Sequence, residues 1–199
     1  MAGAATADKI MMSDFAATGL SGWEPVVFSG QTEYRLQADA TPPAVRAISR
    51  ASASGLVRKQ VVDLKTRPWL QWSWRVDAAP RTGNELQKSG DDYAARVYVV
   101  VSGGLFFWRT RTLNYVWSRR QAPGSVWPSA FTSQAQLMAL RRGDGDGVWY
   151  HERRNVYDDL KAVFGEAINE IHAVAIMTDS DNSADRAEAW YGDLWFSEH

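Results

Sequence analysis

The chain of 199 residues contains no cysteine. That excludes disulfides, thiolate zinc sites, iron–sulfur clusters and cysteine nucleophiles together. Its three histidines, His151, His172 and His199, are too few for a multi-histidine metal centre. Neither sign of charge dominates: 22 basic residues face 23 acidic ones, for a formal net charge of -1. The basic footprint of a nucleic-acid partner is therefore missing. No apolar run approaches the roughly 18 residues that a membrane-spanning helix needs. The longest, Val97–Val101 and Gly103–Trp108, read as soluble core strands. There is no Gly-x-Ser-x-Gly elbow for a nucleophilic serine. Ser54-Gly55 and Ser89-Gly90 read as turn or strand-entry residues. Met1–Ala7 is small and uncharged, without the basic start and apolar middle of a secretory signal. It reads as what remains after small-residue cleavage, or as a flexible native terminus. The organisation expected is a flexible segment over 1–9 and a single β-sandwich domain over 10–199.

What the chain does have is alternation. Leu70, Trp72, Trp74 and Val76 alternate with Gln71, Ser73, Arg75 and Asp77, the period-two pattern of a half-buried strand. Ala95–Val101 repeats it. Further strands are predicted at Val26–Phe28, Glu33–Leu36, Val45–Arg50, Leu56–Leu64, Leu113–Ser118, Gln134–Arg141, Val148–Arg153, Ile171–Thr178 and Glu188–Phe196. Turn residues punctuate them, as at Thr41-Pro42-Pro43 and Gly143-Asp144-Gly145-Asp146-Gly147. One helix is predicted over Asn155–Phe164. Asn155 suits its N-cap, Asp158 and Asp159 its first turn, and Gly165 its stop. Many short strands with one helix predict an all-β antiparallel sandwich or jelly roll.

The polar clusters are the candidate sites. In Asp91-Asp92-Tyr93-Ala94-Ala95-Arg96-Val97-Tyr98, residues two apart share a face. Asp92, Arg96 and Tyr98 then align, and Asp91 falls opposite. A guanidinium buried between Ala95 and Val97 needs a carboxylate, and Asp92 is the nearest along the strand. The cluster is either an internal ion pair or the polar floor of a ligand groove. Asp179, Asp181 and Asn182 open a loop that resembles the start of a calcium loop. Ala184 and Trp190 stand where an EF-hand needs glycine and glutamate, so an oxygen-rich site completed by other loops, or a solvated hairpin turn, are the alternatives.

Ten tryptophans are an unusual number. Most are expected in the core, Trp72 and Trp74 first. A few exposed rings beside Asp, Asn and Arg would suit a sugar, whose C–H faces stack on aromatics while its hydroxyls hydrogen-bond. Asn114, Tyr115, Trp117 and Arg153 are candidate contacts of this kind. His151 and His172 read as structural, although Tyr98, His151 and Arg96 would together suit polysaccharide lyase chemistry. No catalytic residue is assigned.

Four segments carry a resemblance: Ala51–Leu56, Lys88–Val100, Asn114–Trp117, and Thr178–Asn182 with Tyr191–Phe196. Over roughly residues 14–197 the chain resembles the uncharacterised bacterial family called domain of unknown function 3047. The resemblance implies an exported or periplasmic protein and no particular reaction. The terminal segments, Ser13-Asp14-Phe15 and Gly192–Phe196, resemble the end strands of jelly-roll carbohydrate-binding modules. That likeness implies a structural calcium at Asp14 and Asp193, with Gly192 where a second acid commonly stands. Three functions are open: a non-catalytic domain binding a glycan or other small polar ligand, a glycan lyase or hydrolase, and an envelope structural protein that binds another protein.

Overall fold

A computed structural model describes residues 9–104 and 109–199. The expectations for Met1–Ala7 and for the strand ending at Trp108 lie outside the described residues. Among the described residues, thirteen strands and one α-helix occur in chain order. The strands are β1 (Lys9–Met11), β2 (Trp23–Ser29), β3 (Glu33–Gln37), β4 (Ala44–Arg50), β5 (Ala53–Asp63), β6 (Trp69–Ala78) and β7 (Ala95–Val101). They continue as β8 (Arg111–Ser118), β9 (Val126–Pro128), β10 (Ala135–Arg142), β11 (Tyr150–Asn155), β12 (Glu170–Asp179) and β13 (Arg186–Ser197). The helix α1 (Val156–Phe164) lies between β11 and β12.

Two sheets pack face to face as a β-sandwich. One runs β11-β6-β13-β4-β3, with β1 added along the end of β13; the other runs β2-β5-β12-β7-β8-β10-β9. Lys9 opens β1 opposite Ser197. The pairs are antiparallel except one: β10 lies parallel to β8. A short β9, itself antiparallel to β10, makes that crossover at the sheet edge. Neither β1 nor β9 was expected, because three residues are too few to display alternation.

The core follows from the alternation. Leu70, Trp72, Trp74 and Val76 point inward from β6 and are buried, as are Leu113, Tyr115 and Trp117 from β8 on the facing sheet. Trp72 meets Tyr115 with ring centroids 5.3 Å apart, and Trp74 meets Trp117 at 6.3 Å. The aromatic layer thus bridges the two sheets, in the edge and offset arrangements that ring quadrupoles favour. The helix closes one end. The Asn155 side chain accepts from the Asp158 N–H, and Gly165 ends the helix at φ 74°, where a Cβ would be strained. Val156 and Leu160 are buried, and the Tyr115 hydroxyl donates to Asp159 at 2.7 Å.

The tryptophans divide between core and cation stacking. Trp23, Trp72, Trp74, Trp117 and Trp127 are buried. Trp69, Trp149, Trp190 and Trp195 are half-buried and carry cations over their rings. Arg153 lies 3.6 Å from the Trp69 centroid, Arg75 lies 4.5 Å from that of Trp190, and Lys9 lies 5.2 Å from that of Trp195. Such pairs satisfy an aromatic face in place of a ligand.

Truncating Trp72 to alanine empties the middle of the aromatic layer. Denaturant unfolding should show a loss of about 3–5 kcal/mol. A loss below about 1 kcal/mol would mean that the layer is not the core's main support.

Candidate functional site

The outer face of the second sheet carries a cavity of about 540 Å³. Its floor comes from alternate residues of the central strands: Arg96 and Tyr98 on β7, Met177 and Asp179 on β12, Thr112 and Asn114 on β8. Asp91 precedes β7, and Asp181 and Asn182 follow β12, so two loops close one end. Phe28 on the edge strand β2 and Phe131 between β9 and β10 stand at the rim. Both rings are largely in solvent, at 68% and 56% exposure.

A buried ion pair organises the closed end. Arg96 pairs across the sheet with Met177, and Asp179, two residues on, shares that face. Arg96 donates through Nε to Asp179 Oδ1 at 2.8 Å and through Nη2 to Oδ2, in fork-to-fork geometry. Nη2 also donates to the Asp91 carbonyl at 2.6 Å, while Nη1 stands 3.7 Å from the Asp91 carboxylate. The guanidinium lies over the Tyr93 ring, 4.3 Å from its centroid, and the Tyr93 N–H donates to Asp179 Oδ1 at 3.3 Å. Gly90 makes the approach to this loop possible: a Cβ there would meet the Asn84 carbonyl oxygen at 2.3 Å.

Asp92 does not partner Arg96. It accepts from the Asn182 N–H and Nδ2, each at 3.1 Å, and from the Ser183 N–H at 2.6 Å. The expectation had Asp91 and Asp92 exchanged, because alternation holds only inside a strand and β7 starts at Ala95. The preceding residues follow a short 3₁₀ turn, Lys88–Gly90, which rotates Asp91 toward the cavity. The internal ion pair and the polar floor, posed as alternatives, are one structure: Arg96 is 4% exposed and lies at the bottom of the cavity.

Of the other sequence-derived candidates, Tyr98, Asn114, Asp179, Asp181 and Asn182 meet at the cavity. Tyr115 and Trp117 do not: they occupy the opposite face of β8, in the core, where the Trp117 Nε1 donates to the Gly143 carbonyl at 3.1 Å. Arg153 stacks on Trp69 on the other sheet. His151 pairs with Ser73 on that same sheet, so the lyase set of Tyr98, His151 and Arg96 is not assembled. Phe28, Ser29, Ala53, Ser129, Phe131 and Ala135 line the cavity without having been predicted. Period two could have joined Thr112 to Asn114 and Met177 to Asp179; no comparable signal marks the rim.

Burial and repulsion raise the acids of this end. Burial pushes Asp179 up to about 7 against the pull of Arg96, and Asp92 and Asp91 add to the rise. Burial also raises Asp91, opposed by Arg96 and reinforced by Asp92. Asp181 rises through burial and the neighbouring Asp92 charge. Burial likewise lifts the Tyr98 phenol to about 12.

The terminal acids serve a different purpose. Asp193 accepts the Phe15 N–H at 2.8 Å, and Asp14 accepts the Ala17 N–H at 2.9 Å. These bonds close a turn between the two ends of the chain. Among the described residues, three carboxylates come together only as Asp92, Asp179 and Asp181, with oxygens within 4.8 Å of one another. There both Asp179 oxygens are held by Arg96 and both Asp92 oxygens by amide donors. That donor set fits the guanidinium it contains better than a metal ion.

A model of the family described as "Protein of unknown function (DUF3047)" matches residues 21–195. No curated protein matches the chain. Among solved structures, the chain is similar to TmCBM61 in complex with beta-1,4-galactotriose, at 11% identity over 92% of this chain and 94% of that one, TM-score 0.45. It is also similar to endoglucanase cel12A from Rhodothermus marinus, at 10% identity over 94% and 96%, TM-score 0.48. A third is the K1 cleaved adhesin domain of Lys-gingipain from Porphyromonas gingivalis W83, at 10% identity over 96% and 98%, TM-score 0.45. Likenesses this distant carry no argument about what the cavity binds. Among the described residues, no helix is long and apolar enough to cross a membrane.

Removing one partner of the Arg96–Asp179 pair strands a buried charge. Arg96→Met and Asp179→Leu should each lose about 3–5 kcal/mol in denaturant unfolding, and the double variant should recover most of it. Additive losses would mean that the pair contributes nothing as a pair. The raised carboxyls also fix a pH dependence. Their folded pKa values exceed the unfolded ones, so their contribution to stability is full at low pH and is lost as pH rises. For Asp179 the window runs from 3.8 to about 7. Asp144, Asp146 and Asp185 are lowered, chiefly by hydrogen bonds, so their contribution disappears as pH falls through the acid range. Melting temperature should therefore peak at mildly acidic pH and decline toward about pH 8, and Asp181→Asn should flatten that decline. A melting temperature still climbing above neutrality would contradict the assignment.

Proposed function

Because the chain belongs to the DUF3047 family, whose description names no reaction, we propose a function from the cavity itself: it binds a glycan without transforming it. The observation that carries this reading is two exposed phenylalanine rings, Phe28 and Phe131, standing over a floor of Arg96, Tyr98, Asn114, Asp181 and Asn182. The rings offer apolar faces to the C–H face of a pyranose. The floor offers carboxylate, amide and phenol groups to its hydroxyls. A concave site with apolar walls and a few convergent polar groups is the usual form of a small-molecule site. The platform is phenylalanine rather than tryptophan, since among the described residues the rings lining the rim are Phe28 and Phe131 and no tryptophan lines the cavity.

The floor is also preformed. Arg96 and Asp179 hold each other, and Asn182 is held by Asp92, so little side-chain ordering remains for a ligand to impose. An exported or periplasmic location belongs to the same proposal, since extended glycans are the material of envelopes and surroundings.

Retention on immobilised polysaccharides tests the reading. The protein should be retained on at least one polysaccharide and released by the matching soluble sugar. Phe131→Ala and Phe28→Ala should each weaken retention about tenfold and leave the melting temperature nearly unchanged, because both rings are solvent-facing. Absence of retention across a wide panel would overturn the proposal in favour of a protein partner. Release of shortened sugars from the polysaccharide would overturn its non-catalytic part.

A further inference from the structure

The cavity is unbalanced in two ways at once. The first imbalance is charge. Asp91, Asp179 and Asp181 line it against Arg96 as the lining cation, with Asp92 directly behind. The guanidinium is already committed: it is forked onto Asp179 and donates to the Asp91 backbone. The Asp91 carboxylate is left 3.7 Å from Nη1, beyond hydrogen-bond reach, and Asp181 receives the Asn182 amide at 3.3 Å. The second imbalance is between acceptors and donors. Asn114 is 2% exposed, lines the cavity, and its Oδ1 is buried with no hydrogen-bond partner. Asp91 Oδ1 is likewise buried without one. Buried acceptors are normally paired, and an orphan calls for an explanation such as an absent ligand.

A ligand that corrects both imbalances must bring hydrogen-bond donors and positive charge. Resting on the glycan reading above, we propose that the cavity selects amino sugars, with the protonated amine of a hexosamine unit placed among Asp91, Asp181 and the Asn114 carbonyl. An ammonium has three donors and no acceptor, which matches a pocket of acceptors. A uronic acid would face carboxylates and be repelled. A neutral hydroxyl would satisfy an acceptor and leave the charge standing. N-acetylation would remove the charge and add a carbonyl to a site that has too many. The rim already shows the compatible pairing: the Lys88 ammonium lies over the Phe131 ring, 5.4 Å from its centroid, the arrangement by which aromatic faces attract cations.

Isothermal calorimetry at low salt and about pH 6, where a sugar amine is largely protonated, separates the outcomes. The probes are the β-1,4 glucosamine trisaccharide, its fully N-acetylated form, cellotriose and calcium chloride. The glucosamine trisaccharide should bind at least about tenfold tighter than either neutral trisaccharide, as charge-assisted hydrogen bonds require. Asp181→Asn should abolish that preference, and Asn114→Leu should reduce it in a protein whose melting is otherwise cooperative. Equal or tighter binding of a neutral trisaccharide would overturn the amine assignment and leave the glycan reading intact. Binding of calcium alone, with no saccharide bound, would overturn both and make the acids a cation site. Preference for the amine that survives Asp181→Asn and Asn114→Leu would also overturn the placement.

Discussion

The closed end of the cavity depends on one ion pair, Arg96 with Asp179. Arg96 is planted in a central strand between inward-facing Ala95 and Val97, and its charge has to be answered where it lies. Asp179 answers it from the neighbouring strand, at the point where β12 gives way to a loop. Everything polar nearby is hung on that pair. The Asp91 carbonyl caps the guanidinium, Tyr93 covers its face, and Asp92 reaches past it to hold Asn182 and Ser183. Two loops far apart in sequence are thereby fixed to each other. A well-packed apolar pair could hold the strands as firmly, but it would leave no polar floor.

Strands were legible in the sequence wherever one face is buried and the other is not. β7 was located to the residue, and β6 announced its inward face through Leu70, Trp72, Trp74 and Val76, all of them buried. The helix was legible because its caps are local chemistry. The site was legible in part. Arg96, Asp179, Asp181 and Asn182 stood out as polar residues in apolar surroundings, and they do meet. Which carboxylate faces which cation was not legible. That depends on strand neighbours: β12 lies beside β7 only because of the sheet order, and nothing within either segment encodes it. Phe28 and Phe131 were invisible for the same reason, since one lies on an edge strand and the other in a connection.

The abundance of tryptophan has a structural answer. Trp72, Trp74 and Trp117 build the layer between the sheets, and Trp69, Trp190 and Trp195 lie under cations on the outside. Composition pointed to aromatic recognition; the exposed rings that stand at the cavity are of a different type, Phe28 and Phe131, on the other sheet. Count alone could not distinguish these, because an indole satisfied by an arginine and an indole awaiting a sugar have the same sequence neighbours.

The strand order also has a consequence for how the protein is made. β13 joins β6 to β4 and β1 in one sheet, and β12 joins β5 to β7 in the other. Both connecting strands come after all their partners in the chain. A nascent chain on the ribosome therefore holds edge pieces without either centre, and neither sheet can close until residues 170–197 have emerged. Folding of this kind waits for long-range pairing and is slow. That delay leaves unpaired apolar strands open to aggregation in the interim, and the two late strands end the exposure in both sheets at once.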